Sequence, residues 1–229
     1  MSRLIFSDVH GNKALWNQIK KLIKPGDEAY FLGDAADRGD DGWEIIKEIS
    51  RHPQITYLKG NHEDMLVKAM IEYKKNDGIP GEDWDLLVRN GGYKTFHDWE
   101  QEGAETGWTV ALRQLPHHVP LTLADGRICH LCHAGFSSDR FNFESPDASH
   151  ALIWDRKYIE DDVEDQSCIV VHGHTPVQHL SEDCLNDPTP LAYDNKISID
   201  MGTFLSGVVG LLDIDKMEPH IITAEGERK

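Results

Sequence analysis

Apolar positions fall in short runs separated by stretches of helical spacing. Residues 3–7 (Arg-Leu-Ile-Phe-Ser) form the first run and read as a buried strand. Leu15, Ile19, Leu22 and Ile23 then recur at i, i+4, i+7 and i+8, one face of a helix that Pro25-Gly26 ends. Residues 29–32 and 55–58 repeat the strand pattern, with a second helical stripe through Trp43, Ile45, Ile46 and Ile49 between them. The order β-α-β-α-β implies parallel strands and an α/β core.

From Glu63 to about Leu115 the pattern turns helical. Met65, Leu66, Ala69, Met70 and Tyr73 make one stripe, and Trp84, Leu87 and Val88 another; a third stretch, 93–99, follows the break at Asn90-Gly91-Gly92. This predicts a helical insert over about 63–115. Beyond Pro116 the chain reads β-rich, with strands at 119–123, 128–132, 168–171, 197–200, 208–214 and 221–223. The expected fold is α/β with α+β character: two packed mixed β-sheets flanked by helices, one domain over 1–229. Trp99, Trp108 and Phe96 are read as core of the insert, residues 160–165 as a solvated acidic loop, and residues 225–229 as a frayed tail.

Composition narrows the partners. The chain has 229 residues, with 40 Asp+Glu against 23 Lys+Arg, a formal net charge of −17. A hydrophobic share of 39% with 28% charged residues excludes wholesale disorder, a collagen-like fibre and a membrane bundle. The acidity argues against nucleic acid gripped through its phosphates and against an anionic membrane surface. No run approaches 18 apolar residues, and the N-terminal run is too short for a signal peptide. With four cysteines, a cytoplasmic protein with reduced thiols is expected. Cys129-His130-Leu131-Cys132-His133 satisfies the C-x-x-C-H pattern of haem attachment. That chemistry occurs outside the cytoplasm, and the segment reads better as a strand ending in a functional histidine. Thirteen histidines in so acidic a chain are the first hint of metal or phosphate chemistry.

The motifs sit at predicted strand ends, where open α/β sheets place their sites. Asp8-Val9-His10 puts a carboxylate and an imidazole on one side of an extended segment. Gly33-Asp34-Ala35-Ala36-Asp37-Arg38-Gly39 follows the second strand and Gly60-Asn61-His62-Glu63 the third. Taken singly, the first recurs by chance, the second reads as a solvated turn and the third as a helix cap. Two further strand ends carry His133-Ala134-Gly135 and His172-Gly173-His174. Five such strand ends in order supply enough carboxylate, imidazole and amide donors for a two-metal site acting on phosphorus.

With these motifs the chain resembles the metallophosphoesterases, and within them the phosphoprotein phosphatase branch, especially small bacterial and bacteriophage serine/threonine protein phosphatases. The resemblance runs over residues 4–212 and takes in Asn90-Gly91-Gly92, residues 153–156 (Ile-Trp-Asp-Arg) and residues 198–202 (Ser-Ile-Asp-Met-Gly). It implies a four-layer sandwich. It also implies that Asp8 and His10 hold a first divalent metal, that Asp34 bridges, and that Asn61, His133 and His174 complete the second. His172 is left as a strand or supporting residue. Arg38 and Arg156 would clamp the phosphate, and His62, oriented by Asp37, would be the general acid. A hydroxide bridging the two ions would attack in line. Manganese is the expected metal, with iron or zinc also suited to the donors.

The sequence departs from the family pattern at Ser7, which stands where the family usually has Gly. Asp37 is typically lacking in symmetrical dinucleoside tetraphosphatases, which favours a protein phosphatase. The implied substrate is a phosphorylated protein or peptide, or a small phosphate ester. A dinucleoside polyphosphate hydrolase is the alternative, and an inactive binding module on the same fold is the alternative of another class. Two metals and two arginines in an acidic body predict a positive pocket, suited to compact phosphate esters or phosphopeptides with basic flanks.

Overall fold

A computed structural model describes residues 2–136, 142, 143, 145, 147–156 and 168–228. The acidic run at 160–165 lies outside them. β1 (Arg3–Phe6), β2 (Glu28–Phe31) and β3 (Ile55–Tyr57) are parallel, as the βαβ reading requires, and are joined by α1 (Lys13–Leu22) and α2 (Gly42–Arg51). β9 (Val209–Asp213) adds to β1 antiparallel, followed by β10 (Glu218–Thr223) and β11 (Gly226–Arg228), giving the order β11-β10-β9-β1-β2-β3. The tail expected to fray therefore ends instead in an edge strand, paired with β10 through Ile221, Ile222 and Thr223.

The second sheet runs β4 (His118–Thr122), β5 (Ile128–Cys132), β6 (Cys168–His172), β8 (Lys196–Ser198) and β7 (Leu191–Tyr193). Its β5, β6 and β8 are parallel, while β4 and β7 pair antiparallel at the edges.

Side-chain alternation along the strands builds the layers. Leu4 and Phe6 of β1, with Phe31 and Val209, face a helical layer, where they pack with Leu15, Trp16, Ile45 and Ile46. Ile5, Tyr30 and Leu212 face the other way and meet Cys129, Leu131, Ile169, Val171 and Ile197 of the second sheet. On that sheet's outer face Cys132 and Val170 pack with Leu152 of α7 (Ala148–Trp154). The result is helices, sheet, sheet, helix: the four-layer sandwich the motif resemblance implies. Both faces of β1 are buried, which is why it reads as an unbroken apolar run.

The helical insert comprises α3 (Asn61–Lys75), α4 (Glu82–Arg89), α5 (Tyr93–Gln101) and α6 (Thr106–Arg113). Its Leu66, Met70, Leu87, Phe96, Trp99 and Leu112 join the same core as α1 and α2. Cys129 and Cys132 point to opposite faces of β5, so they cannot hold one haem between them. Burial pushes the Cys129 thiol up to about 12. Among the described residues, no helix is long and apolar enough to cross a membrane.

Candidate active site

The site forms where the carboxyl ends of the parallel strands of both sheets converge. Asp8 and His10 follow β1, Asp34 follows β2, Asn61 opens α3 after β3, His133 directly follows β5 and His174 follows β6. Among the described residues ten non-glycines have positive φ, and six of them are Asp8, His10, Asp34, Asp37, Arg38 and His174, at 46° to 68°. This backbone is costly for residues with a Cβ, so the strain is concentrated where the chemistry-bearing side chains must be aimed.

Two glycines let the loops meet. A Cβ on Gly33 (φ +106°) would lie 2.3 Å from the Gly60 nitrogen, so the loops bearing Asp34 and Asn61 pack backbone to backbone. A Cβ on Gly173 would lie 2.2 Å from Asp8 Oδ2 and 2.3 Å from Ser7 Oγ. Serine at position 7 is thus accommodated because residue 173 has no side chain.

Asp34 is the centre. His133 Nε2 lies 3.4 Å from its Oδ1, and His10 Nε2 and His62 Nε2 each lie 3.8 Å from its Oδ2. Two groups of buried donor atoms lie within 4.8 Å of one another: Asp8, Asp34 and His133, and His10, Asp34 and His62. Asp34 belongs to both. Asn61 Oδ1 completes the cluster, 2.9 Å from His133 Nε2 and 3.0 Å from His174 Nδ1. The chemistry of these donors, carboxylate, imidazole and amide oxygen without thiolate, fits divalent ions.

The imidazoles are oriented from behind. His10 Nδ1 donates to the Ala36 carbonyl (3.1 Å) and His133 Nδ1 to the Leu32 carbonyl (2.9 Å), turning each Nε2 to Asp34. Burial, then the neighbouring His62, lowers His10 to about 3, so it is neutral, as a ligand must be. Burial also pulls His133 down, but Asp34 and Asp8 outweigh it and raise it to about 9, so a cation held there would displace its proton. His172 uses its nitrogens elsewhere, on the Gly173 carbonyl and the Tyr193 hydroxyl, each at 3.0 Å.

His62 Nδ1 lies 2.7 Å from Asp37 Oδ2, and both side chains are buried. Burial pulls the His62 imidazole down, yet Asp34 and Asp37 outweigh it and the net shift is upward. Arg38 donates from Nη1 to His10 Nε2 (3.0 Å) and from Nη2 to His62 Nε2 (3.2 Å). Arg156, exposed just beyond α7, lines with Arg38, His10, Asp34, Asn61 and His174 a cavity of about 410 Å³. All ten residues singled out in the sequence therefore share one cluster.

Sequence reasoning gave no role to Glu63, whose buried carboxylate accepts from the backbone nitrogens of Asp34 (2.8 Å), Ala35 (2.9 Å) and Gly60 (2.8 Å) and from the Tyr57 hydroxyl (2.9 Å). It ties the second and third motif loops together. Glutamate at the third position of a helix whose cap is glycine was the available signal. Asn90, of the Asn90-Gly91-Gly92 motif, lines the same cavity, and the adjacent Gly91 carbonyl accepts from the Arg38 backbone nitrogen at 3.0 Å.

The family model described as calcineurin-like phosphoesterase matches residues 1–201. No curated protein matches the chain significantly. Among solved structures, the chain is similar to a candidate diadenosine tetraphosphatase at TM-score 0.62 and 15% identity, over 96% of this chain and 92% of that one. It is also similar to a Saccharomyces cerevisiae protein serine/threonine phosphatase with similarity to human phosphatase PP5 (TM-score 0.59, 13% identity, 92% of this chain, 71% of that one). A third is the cold-active protein-tyrosine phosphatase of a psychrophilic Shewanella species (TM-score 0.56, 14% identity, 100% and 79%). At these identities the likeness is one of fold.

Proposed function

The chain belongs to the calcineurin-like phosphoesterase family, and on that premise we propose that it hydrolyses phosphate monoesters of proteins, serine/threonine or tyrosine, with two divalent ions. The observation that carries this reading is the buried Asp37–His62 pair set beside Asp34, the carboxylate common to both donor groups. Asp8, His10 and Asp34 would hold one ion, and Asp34, Asn61, His133 and His174 the other. Manganese suits these donors, as do iron and zinc. Such ions supply charge for the phosphoryl oxygens and acidify water.

The chain's own residues do the rest. Arg38 and Arg156 both line the cavity and neutralise the phosphoryl oxygens, a task suited to the planar guanidinium. Water takes the phosphoryl group as the ester P–O bond breaks. On His62, Asp37 holds Nδ1 protonated and the ring in one orientation; Nε2 takes up a proton from solvent in place of its bond from Arg38 and passes it to the leaving oxygen. His62 then regains its proton from solvent.

The test is a side-by-side assay of the manganese-loaded protein on a phosphopeptide and on diadenosine tetraphosphate. The expected result is phosphate release from the phosphopeptide at the higher kcat/KM. Preferential cleavage of the dinucleotide would overturn the reading in favour of a nucleotide hydrolase, and no turnover of any ester would leave a binding module.

A further inference from the structure

Beyond His10 and Arg38 the site opens sideways into a cavity of about 650 Å³. Its far wall is α8 (Thr203–Ser206), on which Phe204 and Leu205 stay 49% and 64% exposed. A second cavity of about 550 Å³ flanks the same helix, shares Leu205 and Ser206 with the first, and is lined by Leu185, itself 57% exposed. The helix is thus a ridge between two hollows, the first of which begins at the site. Large apolar side chains left in water together, beside a cleft, mark a contact surface. Phe204 is also fixed to the site: the Arg38 guanidinium carbon lies 4.4 Å from its ring centroid, and His10 meets the ring edge-on at 6.2 Å.

The charges around the first cavity say what lies there. Its lining cations are Arg38 and Lys13. Lys13 is engaged by Glu44 at 2.9 Å and Glu48 at 2.5 Å. Asp40 and Asp41 also line the cavity; among the described residues no direct ion pair or side-chain hydrogen bond engages either carboxylate, and Lys94, whose charge both favour, is itself held by Asp98 at 2.5 Å. Past Arg38, with Lys13 paired, the lining charges left to meet a ligand are those of Asp40 and Asp41. A chain of further phosphates entering it would meet like charge, whereas a cationic side chain would meet its complement.

Resting on the reading as a protein phosphatase, we propose that the substrate is a phosphorylated peptide segment laid along the α8 ridge, with an apolar side chain over Leu205 and an arginine or lysine beside the phosphorylated residue facing Asp40 and Asp41. Three substrates of the manganese-loaded protein test this: one phosphopeptide with Arg beside the phosphorylated residue, the same peptide with Glu there, and the phosphorylated amino acid with blocked ends. The Arg peptide should lead the Glu peptide in kcat/KM by about tenfold, the scale of a few exposed charge contacts. The blocked amino acid should be the slowest of the three. In the D40N/D41N protein the Arg-to-Glu ratio should fall toward one. A ratio of one in the native protein, or a ratio unchanged in D40N/D41N, overturns the role of the two aspartates while the phosphatase reading stands. Equal kcat/KM for the blocked amino acid and the Arg peptide overturns the ridge. Turnover of diadenosine tetraphosphate with none of any phosphopeptide overturns both the inference and the reading beneath it.

Discussion

His62 Nδ1 stands 2.7 Å from Asp37 Oδ2, with both groups buried, while the Nε2 of the same ring faces Arg38 at 3.2 Å and Asp34 at 3.8 Å. One ring thus has a fixed proton on one nitrogen and the site on the other. His62→Asn should lower kcat by about 10²–10⁴, the usual contribution of a positioned acid, with bound metal retained. Asp37→Asn should lower kcat by a smaller factor, since the acid remains but loses its orientation. Steady-state kinetics with metal analysis checks both. Unchanged turnover of an alkyl phosphate ester by the His62 variant would remove the acid from the mechanism.

Glu63 offers a separate test because it hydrogen-bonds no candidate ligand side chain, only backbone nitrogens and the Tyr57 hydroxyl. Glu63→Gln keeps the shape but weakens its bonds to Asp34, Ala35 and Gly60. We expect manganese affinity to fall about 10- to 100-fold, as when a supporting partner of a metal site is lost, with kcat substantially restored at saturating metal. Calorimetric titration reads the affinity, and native affinity in the variant would show that the carboxylate serves folding alone.

Gly33 is the backbone test of how the site is assembled. Its φ of +106° and the approach of Gly60 leave no room for a methyl group. Gly33→Ala should cost about 2–4 kcal/mol, within the range for strained or overpacked positions. Gly26→Ala, at φ +92° but in open space, should cost less. Urea denaturation midpoints of the two variants, compared, give the difference.

His118 and His130 give a pH dependence away from the site. His118 Nε2 lies 2.8 Å from His130 Nδ1 across β4 and β5, and burial, then the charge of His130, lowers His118 to about 4. An unfolded chain takes up that proton near pH 6.5. The folded form therefore loses stability as pH falls from about 6.5 to about 4, then levels off. His118→Gln should make the denaturation midpoint fall less steeply across that window, and an unaltered slope would contradict the assignment.

Much of this arrangement was legible in the sequence because each site motif but the one carrying Arg156 follows a strand with a clear apolar run. Asp8, Asp34, Asn61 and His133 are found by noting where β1, β2, β3 and β5 stop. What periodicity missed has physical reasons. α7 is a seven-residue helix, α8 has four residues and β7 is a three-residue strand, all too short for a period to show. β11 is mostly charged and is held by pairing with β10 rather than by burial of its own side chains. The α8 ridge was invisible for another reason: Phe204 and Leu205 look like core residues in a sequence, and only the fold shows them left in water.

Asp34 is central because it would join the two proposed metal positions, and metal titration tests that most directly. The chelated protein should release no phosphate from p-nitrophenyl phosphate. Added manganese should bind at two equivalents per chain and restore turnover as the second ion enters, and Asp34→Asn should lose both the second equivalent and the turnover. Full turnover in the chelated protein, or two ions bound by Asp34→Asn with native affinity, would contradict it.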